Sequence, residues 1–422
     1  LQWLKRWAEG IRFRRETVTE ETLHAAVLSP PASSVGQTPY LNLTVEVALS
    51  PETLAHLEPD YERLCAITEN TLPFALFDWH DTWCRHFLQL HAGVEEQLQF
   101  YVLRDPHGVC VAIFPFILSR RKLGIFKVSS IDLLGADPAL TEIRGPLIEP
   151  GYERIALRVV RGQLKQLRSW DWVQWSTLNK AMLNALATDA HVLPHQTIQD
   201  FVLDLPSTWE AFRAGLKRNM RESLRHCYNS LKRDGLTCEL VVVEAPQDVR
   251  AGLDHFLKLH RMRAAMQGTA QHPDRFASAV SEAFLYEVCQ RLAERGVFRL
   301  FQLRVAGEIV AARIGFVVGE GLYFYYSGFD PRWAKYSVMT TTMAEAIKYG
   351  IREGLKTVNL SPTVDVSKTR WGPRVVEYFL AFEKRDRLLS RIANQTYRYT
   401  RVADGSPARL LRKLIKARRR WD

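Results

Sequence analysis

Residues 297–330, VFRLFQLRVAGEIVAARIGFVVGEGLYFYYSGFD, restrict the fold more than any other stretch of this chain. Three apolar, aromatic-rich runs are separated by Ala306-Gly307 and by Gly319-Glu320-Gly321, the pattern of an antiparallel three-stranded meander. Around it the sequence predicts a helix from Thr208 to Asp234, a strand TCELVVVE, and helices from Gln247 to Met266 and from Pro273 to Arg295. A helix from about Ser337 to Gly354 and a strand TVNLSP follow the meander.

The first part of the chain has the same order with different residues. LNLTVEVAL reads as a strand, ETLAHLEPDYERLCAIT and FALFDWHDTWCRHFLQLH as helices, and QLQFYVLRD-PHG-VCVAIFPFILSRR as a hairpin. YERIALRVVRGQLKQLRS is then helical, and WDWVQWSTL and QDFVLDL are strands. A chain of 422 residues exceeds the size that one core usually serves. We therefore expect an α+β protein of two similar halves, residues 41–205 and 206–390, each a mixed, mostly antiparallel sheet flanked by helices.

Residues 1–40 and 391–422 read differently. LQWLKRWAEGIRFRR and PARLLRKLIKARRRWD place apolar residues on one helical face and cations elsewhere, and SPPASSVGQTPY has the composition of a linker. Such basic amphipathic ends either lie on an anionic membrane surface or pack on the domain. With 57 Lys+Arg against 46 Asp+Glu the formal charge is +11, which suits an anionic partner: nucleic acid, a phosphate-rich cofactor or an acidic membrane face. The six cysteines lack metal-ligand spacing, so free thiols and no metal are expected. No apolar run is long enough to span a membrane, and the expectation is a cytoplasmic protein with a peripheral inner-membrane contact.

The chemistry should gather where the meander ends. In YFYYSGFDPRWAKYSVMTTT the helix opening at Ser337 has no acid in its first turn, and Arg332 and Lys335 stand just before it. Unpaired N–H groups and a partial positive charge make such a helix start a phosphate-binding element, or else an ordinary Ser-capped one. LKRNMRESLRHCYNSLKRDG, with Arg218, Arg221 and Arg225 along one face, is either a polyanion site or a solvated surface. LSPTVDVSKTRWGP carries Lys368, Arg370 and Trp371 beyond a strand end. Proton-shuttling candidates are His260 and Arg263 in FLKLHRMRAAMQG, Asp330, Glu308 and Tyr326.

Taken together, WEAFRAGLKRNMRESLRHCYNSLKRDG, FLKLHRMRAAMQG, YYSGFDPRWAKYSVMTTTMAEAIKYGIREGLKTVNLSP and DVSKTRWGP resemble the GNAT acyltransferase superfamily. They are most similar to its double-domain branch, which is associated with exopolysaccharide or cellulose biosynthesis and related to Fem-type aminoacyltransferases. The resemblance implies tandem GNAT-like domains and acyl transfer from acyl-CoA to an amine of a sugar or lipid precursor. It implies catalytic roles among Asp330, His260 and Glu308, and cofactor contacts from Tyr326, Ser327, Arg332, Trp333, Lys335, Tyr336, Ser337, Lys368 and Arg370. The loop departs from the usual pattern: Trp333 and Tyr336 are bulky, and no glycine lies between Asp330 and Ser337. A tRNA-dependent aminoacyltransferase and a non-catalytic GNAT-fold binding protein at the membrane are the competing readings.

Overall fold

A computed structural model describes residues 43–90, 94–123, 126–136, 140–167, 170–187, 192–266 and 272–385. The basic terminal segments and the Pro/Ser-rich linker lie outside the described residues. The first half contains β1 (Thr44–Ala48), α1 (Glu58–Ile67), α2 (Phe77–Phe87), β2 (Val94–Arg104), β3 (Cys110–Leu123), β4 (Phe126–Leu133) and β5 (Leu147–Ile148). It continues with α3 (Glu153–Gln166), β6 (Trp172–Leu178), α4 (Lys180–Ala187) and β7 (Val192–Asp204). The second half contains α5 (Trp209–Gly215), α6 (Arg218–Arg233), β8 (Cys238–Val243), α7 (Val249–Ala264), α8 (Ala279–Glu294), β9 (Phe298–Val305), β10 (Glu308–Val318) and β11 (Gly321–Phe329). It ends with α9 (Val338–Arg352), β12 (Thr357–Asn359), α10 (Val366–Thr369) and β13 (Arg374–Lys384).

One sheet runs through both halves in the order β1-β2-β3-β4-β6-β13-β7-β12-β11-β10-β9-β8, with β5 on β3. Pairing is antiparallel except for β4 with β6 and β11 with β12. The closing strands are exchanged: β7 ends the first half but lies beside β12, β13 ends the second but lies beside β6, and the two pair with each other. This exchange carries Asp200 of β7 against Asn359 of β12.

Both halves also share a core on one face of the sheet. Trp79, Trp83 and Phe87 of α2 pack with Phe284, Leu285 and Val288 of α8. Arg291 of α8 donates to Asp78 (2.9 Å) and Asp81 (2.5 Å) of α2, which compensates charges that would be costly alone in a partly buried seam. Separate clusters hold α3 and α4 against the first half and α6 and α9 against the second.

Several elements depart from the sequence reading; β5, α4 and α10 were not assigned, and three further departures have a visible cause. The expected helix from Thr208 to Asp234 is two helices, because Leu216 and Lys217 are extended and Leu216 is buried at the corner. β4 was not expected because Ser130 and Asp132 interrupt its apolar pattern; both are buried, and the Ser130 hydroxyl donates to Asp132 at 2.9 Å. β13 was likewise unassigned, and its Glu383 is buried against Arg161 at 2.9 Å. All six cysteines are free and four are buried. Among the described residues no helix is long and apolar enough to cross a membrane.

Candidate active site

β11 and β12 part company soon after they meet. Their parallel ladder covers only Gly321–Tyr323 against Thr357–Asn359, although β11 continues to Phe329. Two local features force the separation. Ser327 faces Arg313 while Phe324 faces Gly315, so β11 carries one more residue than β10 across this point and bends, as a bulged strand does. Beyond Asn359 the chain turns through Ser361 and Thr363, non-glycine residues at φ +66° and +84°, a strained geometry typical of functional loops. The β12-facing edge of β11 from Phe324 onward is thereby left without a strand partner among the described residues, while the other edge stays paired with β10.

Helix α7 presses on the back of this edge. A Cβ at Gly328 would lie 2.3 Å from the His260 backbone nitrogen, so only glycine allows the contact. His260 is buried, hydrogen-bonds through Nδ1 to the Ser327 carbonyl at 3.0 Å, and its Nε2 accepts from the Arg275 N–H at 3.4 Å. Both ring nitrogens are thus engaged. Burial holds its pKa below the ordinary value, so the ring is neutral at physiological pH.

The segment Leu140–Arg144 of the first half meets the same strand. Thr141 accepts from the Trp79 indole at 3.0 Å, the Leu140 carbonyl accepts from Tyr325 at 2.6 Å, and the Glu142 carboxylate accepts from Tyr323 at 2.7 Å. Burial raises the Glu142 pKa to about 7; the Tyr323 hydrogen bond and Lys368 oppose the rise, and Asp200 adds to it. A carboxyl group divided between its two forms at neutral pH suits general-base work. Asp200 accepts from Asn359 Nδ2 at 2.7 Å and from the Phe201 N–H at 3.1 Å. Lys368 Nζ donates to the Ser361 carbonyl (3.1 Å), the Ser361 hydroxyl (3.0 Å) and the Pro362 carbonyl (2.6 Å), closing the strained turn.

The residues singled out in sequence are distributed around this point unevenly. Tyr326, Ser327, His260 and Lys368 are at the parting strands. Asp330 is buried and accepts from the Arg332 N–H (2.9 Å), Nε (2.8 Å) and Nη2 (2.6 Å); these bonds hold its pKa below the usual range, making it a weak base. Glu308 is exposed at the β9–β10 turn, 3.8 Å from Arg332. The loop expected to be an open cationic cradle is a closed 3-10 turn, Pro331–Tyr336, whose Trp333 and Ser337 N–H groups bond internally. Lys335 is 3.8 Å from Asp234, whose carboxylate also accepts from Tyr336 at 2.8 Å, and Trp333 and Tyr336 pack beside Leu231 and Val338. Ser337 is left-handed (φ +53°) and makes no side-chain cap, so the acid-free first turn of α9 stays uncapped. Arg370 bridges that turn to α6, donating to Thr340 (3.3 Å) and Ser223 (2.9 Å). Trp371 is a core residue.

Glu142 and Arg313 escaped the sequence reading. Nothing in LGADPALTEIRGP marks Glu142, because its environment is supplied by the other half. Arg313 did carry a signal: a single cation within the otherwise apolar EIVAARIGFVV. Among the described residues no group of three or more His, Cys, Asp and Glu is placed to hold a metal ion.

The strand parting sits in the part of the chain with a recognisable sequence signature. Residues 218–369 match the acetyltransferase (GNAT) domain family. The matched segment runs from the start of α6 to the end of α10, somewhat over a third of the chain, and includes Arg313, Tyr323 and Lys368. Glu142 and Asp200 lie outside it. Among solved structures, FemX aligns over 79% of this chain and 98% of its own, with 11% identity and a TM-score of 0.53. A conserved protein of unknown function from Bacteroides thetaiotaomicron aligns over 80% and 100%, with 13% identity and a TM-score of 0.50. Together with the family match, these likenesses show a GNAT-like fold. A comparison with curated proteins gives no match.

Proposed function

We propose that the chain is an N-acyltransferase that moves an acyl group from acyl-CoA to an amine of a sugar or lipid precursor of the cell envelope. The observation that carries this reading is the placement of Glu142, with its pKa near 7, at the parting of β11 and β12 inside a GNAT-like fold. The free edge of β11 offers N–H groups to the thioester carbonyl oxygen as it gains charge. Glu142 receives the proton that the attacking nitrogen loses as the C–N bond forms. The C–S bond then breaks, the thiolate takes a proton from water, and Glu142 returns its proton to solvent, which restores the base. Tyr323 keeps the carboxylate oriented, and His260 acts as a positioning residue by fixing Ser327 and α7 against the strand. The precursor class is inferred from the double-domain resemblance of the sequence.

The uncapped start of α9 is the proposed seat of the coenzyme pyrophosphate. Arg332 and Lys335 flank it with side chains 74% and 69% exposed, free to exchange their present acid partners for a ligand. Reversing both, Arg332→Glu with Lys335→Glu, places two acids beside that helix start. The expected result is a loss of roughly tenfold in acyl-CoA affinity at low salt, less at high salt. Native mass spectrometry with acyl-CoAs of graded chain length tests the reading as a whole: retention of at least one is expected, and no retention at any length contradicts it.

A further inference from the structure

Three cations converge where β11 leaves β12, and among the described residues none of them has a carboxylate partner. Arg313 stands directly opposite Ser327 in the β10–β11 register, so the two side chains share a face of the sheet. Its guanidinium lies over the Phe324 ring, 5.1 Å from the centroid, and its buried Nε has no hydrogen-bond acceptor among the described residues. Arg263, reaching in from α7, donates to the same Ser327 hydroxyl at 2.7 Å and to His272 Nε2 at 2.9 Å. Lys368 donates only to uncharged oxygens of Ser361 and Pro362.

Three other partly buried arginines are each paired with an acid. Arg161 is paired with Glu383, Arg104 with Asp60, and Arg291 with Asp78 and Asp81. The acids nearest the three cations are committed to other donors: Glu142 to Tyr323, Asp200 to Asn359 and the Phe201 N–H, and Asp365 to the Ser367 N–H at the start of α10. Burial lowers the Arg313 pKa to about 10, with Arg263 adding to the shift and Glu142 and Asp365 opposing it. A guanidinium buried among like charges, with donors unused, is a poor structural element and a good receptor for an anion.

We propose that Arg313, supported by Arg263 and Lys368, binds an oxyanion group, carboxylate or phosphate, carried by the acceptor next to the amine that is acylated. The fork of the guanidinium matches two oxygens of either group. With Glu142 close by, the cleft presents an acid to the amine and cations to the anion, so the acceptor class is a zwitterion. The assignment of the anion to the acceptor rests on the acyl-transfer reading; the anion site itself does not.

The test separates the two. The thermal midpoint of the full chain is titrated with sodium phosphate and, separately, sodium acetate, against sodium chloride at equal ionic strength. The wild type should rise by about 2 °C or more with at least one of the two, and which one responds identifies phosphate or carboxylate as the group bound. Arg313→Gln should abolish the rise. Arg120→Gln, removing a cation of β3 paired with Glu95, should leave it intact. If Arg313→Gln does not fold, Arg313→Lys decides, since it keeps the charge without the fork and should weaken the response about threefold or more. Absence of a specific rise in the wild type, an equal rise in Arg313→Gln, or an undiminished rise in Arg313→Lys overturns the proposal. In coenzyme A release assays, Arg313→Gln should raise KM about tenfold or more for amines bearing the preferred anion and leave uncharged-side-chain amines unchanged. Equal effects on both classes would remove the anion from the acceptor. No release with any acceptor would count against acyl transfer while the titration still decides the anion site.

Discussion

Glu142→Gln should cost most of the turnover and at the same time make the protein harder to unfold at pH 8. Glutamine still accepts from Tyr323 but cannot take a proton, so the expected loss in kcat is about 10²- to 10⁴-fold, the usual contribution of a positioned base. The stability gain follows from linkage. The folded-state pKa of Glu142 is raised from 4.5 to about 7, chiefly by burial, so the folded state holds this proton more tightly than the unfolded chain does. Its contribution is therefore most favourable at low pH and is lost as pH rises from about 4.5 to about 7; above that the full penalty for burying the charge applies. Glutamine carries no such penalty, and the variant should gain on the order of 2–3 kcal/mol at pH 8 and almost nothing at pH 4. Chemical denaturation at the two pH values checks this, and an equal effect at both would mean that Glu142 ionises normally.

Gly328→Ala should be the most damaging methyl group that can be added near the site. The new Cβ would stand 2.3 Å from the His260 nitrogen and 2.4 Å from the Leu259 carbonyl carbon, both backbone atoms that cannot rotate aside. Helix α7 would have to move off β11, breaking the His260–Ser327 hydrogen bond and shifting Arg263 from Ser327. Overpacking usually costs 1–3 kcal/mol; against rigid backbone we expect about 3 kcal/mol or more, with loss of activity even at temperatures where the variant is folded. Urea unfolding paired with coenzyme A release measures both. By contrast Gly296→Ala, where a Cβ meets nothing within 4 Å, should lose only the smaller cost of its positive φ.

How far the sequence speaks for itself can be followed residue by residue. The meander β9–β10–β11 and helix α9 are local structures, set by turn glycines and apolar periodicity, and they stand where the pattern places them. The exchange of β7 and β13 is not local: it depends on which strand outcompetes which for the edges of β6 and β12, and no window of sequence contains that choice. Asp330 illustrates the same limit at a single residue. It has the right type and position for a base, but two residues on lies Arg332, whose side chain and N–H claim both its oxygens. Lys335 and Tyr336 are drawn to Asp234 at the end of α6, about a hundred residues away in the chain, which turns an expected open loop into a packed one. Glu142 shows the converse: an unremarkable glutamate in a connecting segment becomes the most perturbed acid of the site because the second half surrounds it.

In the proposed reaction an amine is acylated at the parting of β11 and β12 with Glu142 as its base. Its most direct test is the pH dependence of kcat/KM for coenzyme A release, measured for wild type and Glu142→Gln with an acceptor that the wild type turns over. The wild-type rate should climb through an apparent pKa near 7, as the carboxylate becomes available, and the Glu142→Gln rate should be lower throughout and lack that limb. A variant that keeps wild-type turnover and the same limb would contradict it.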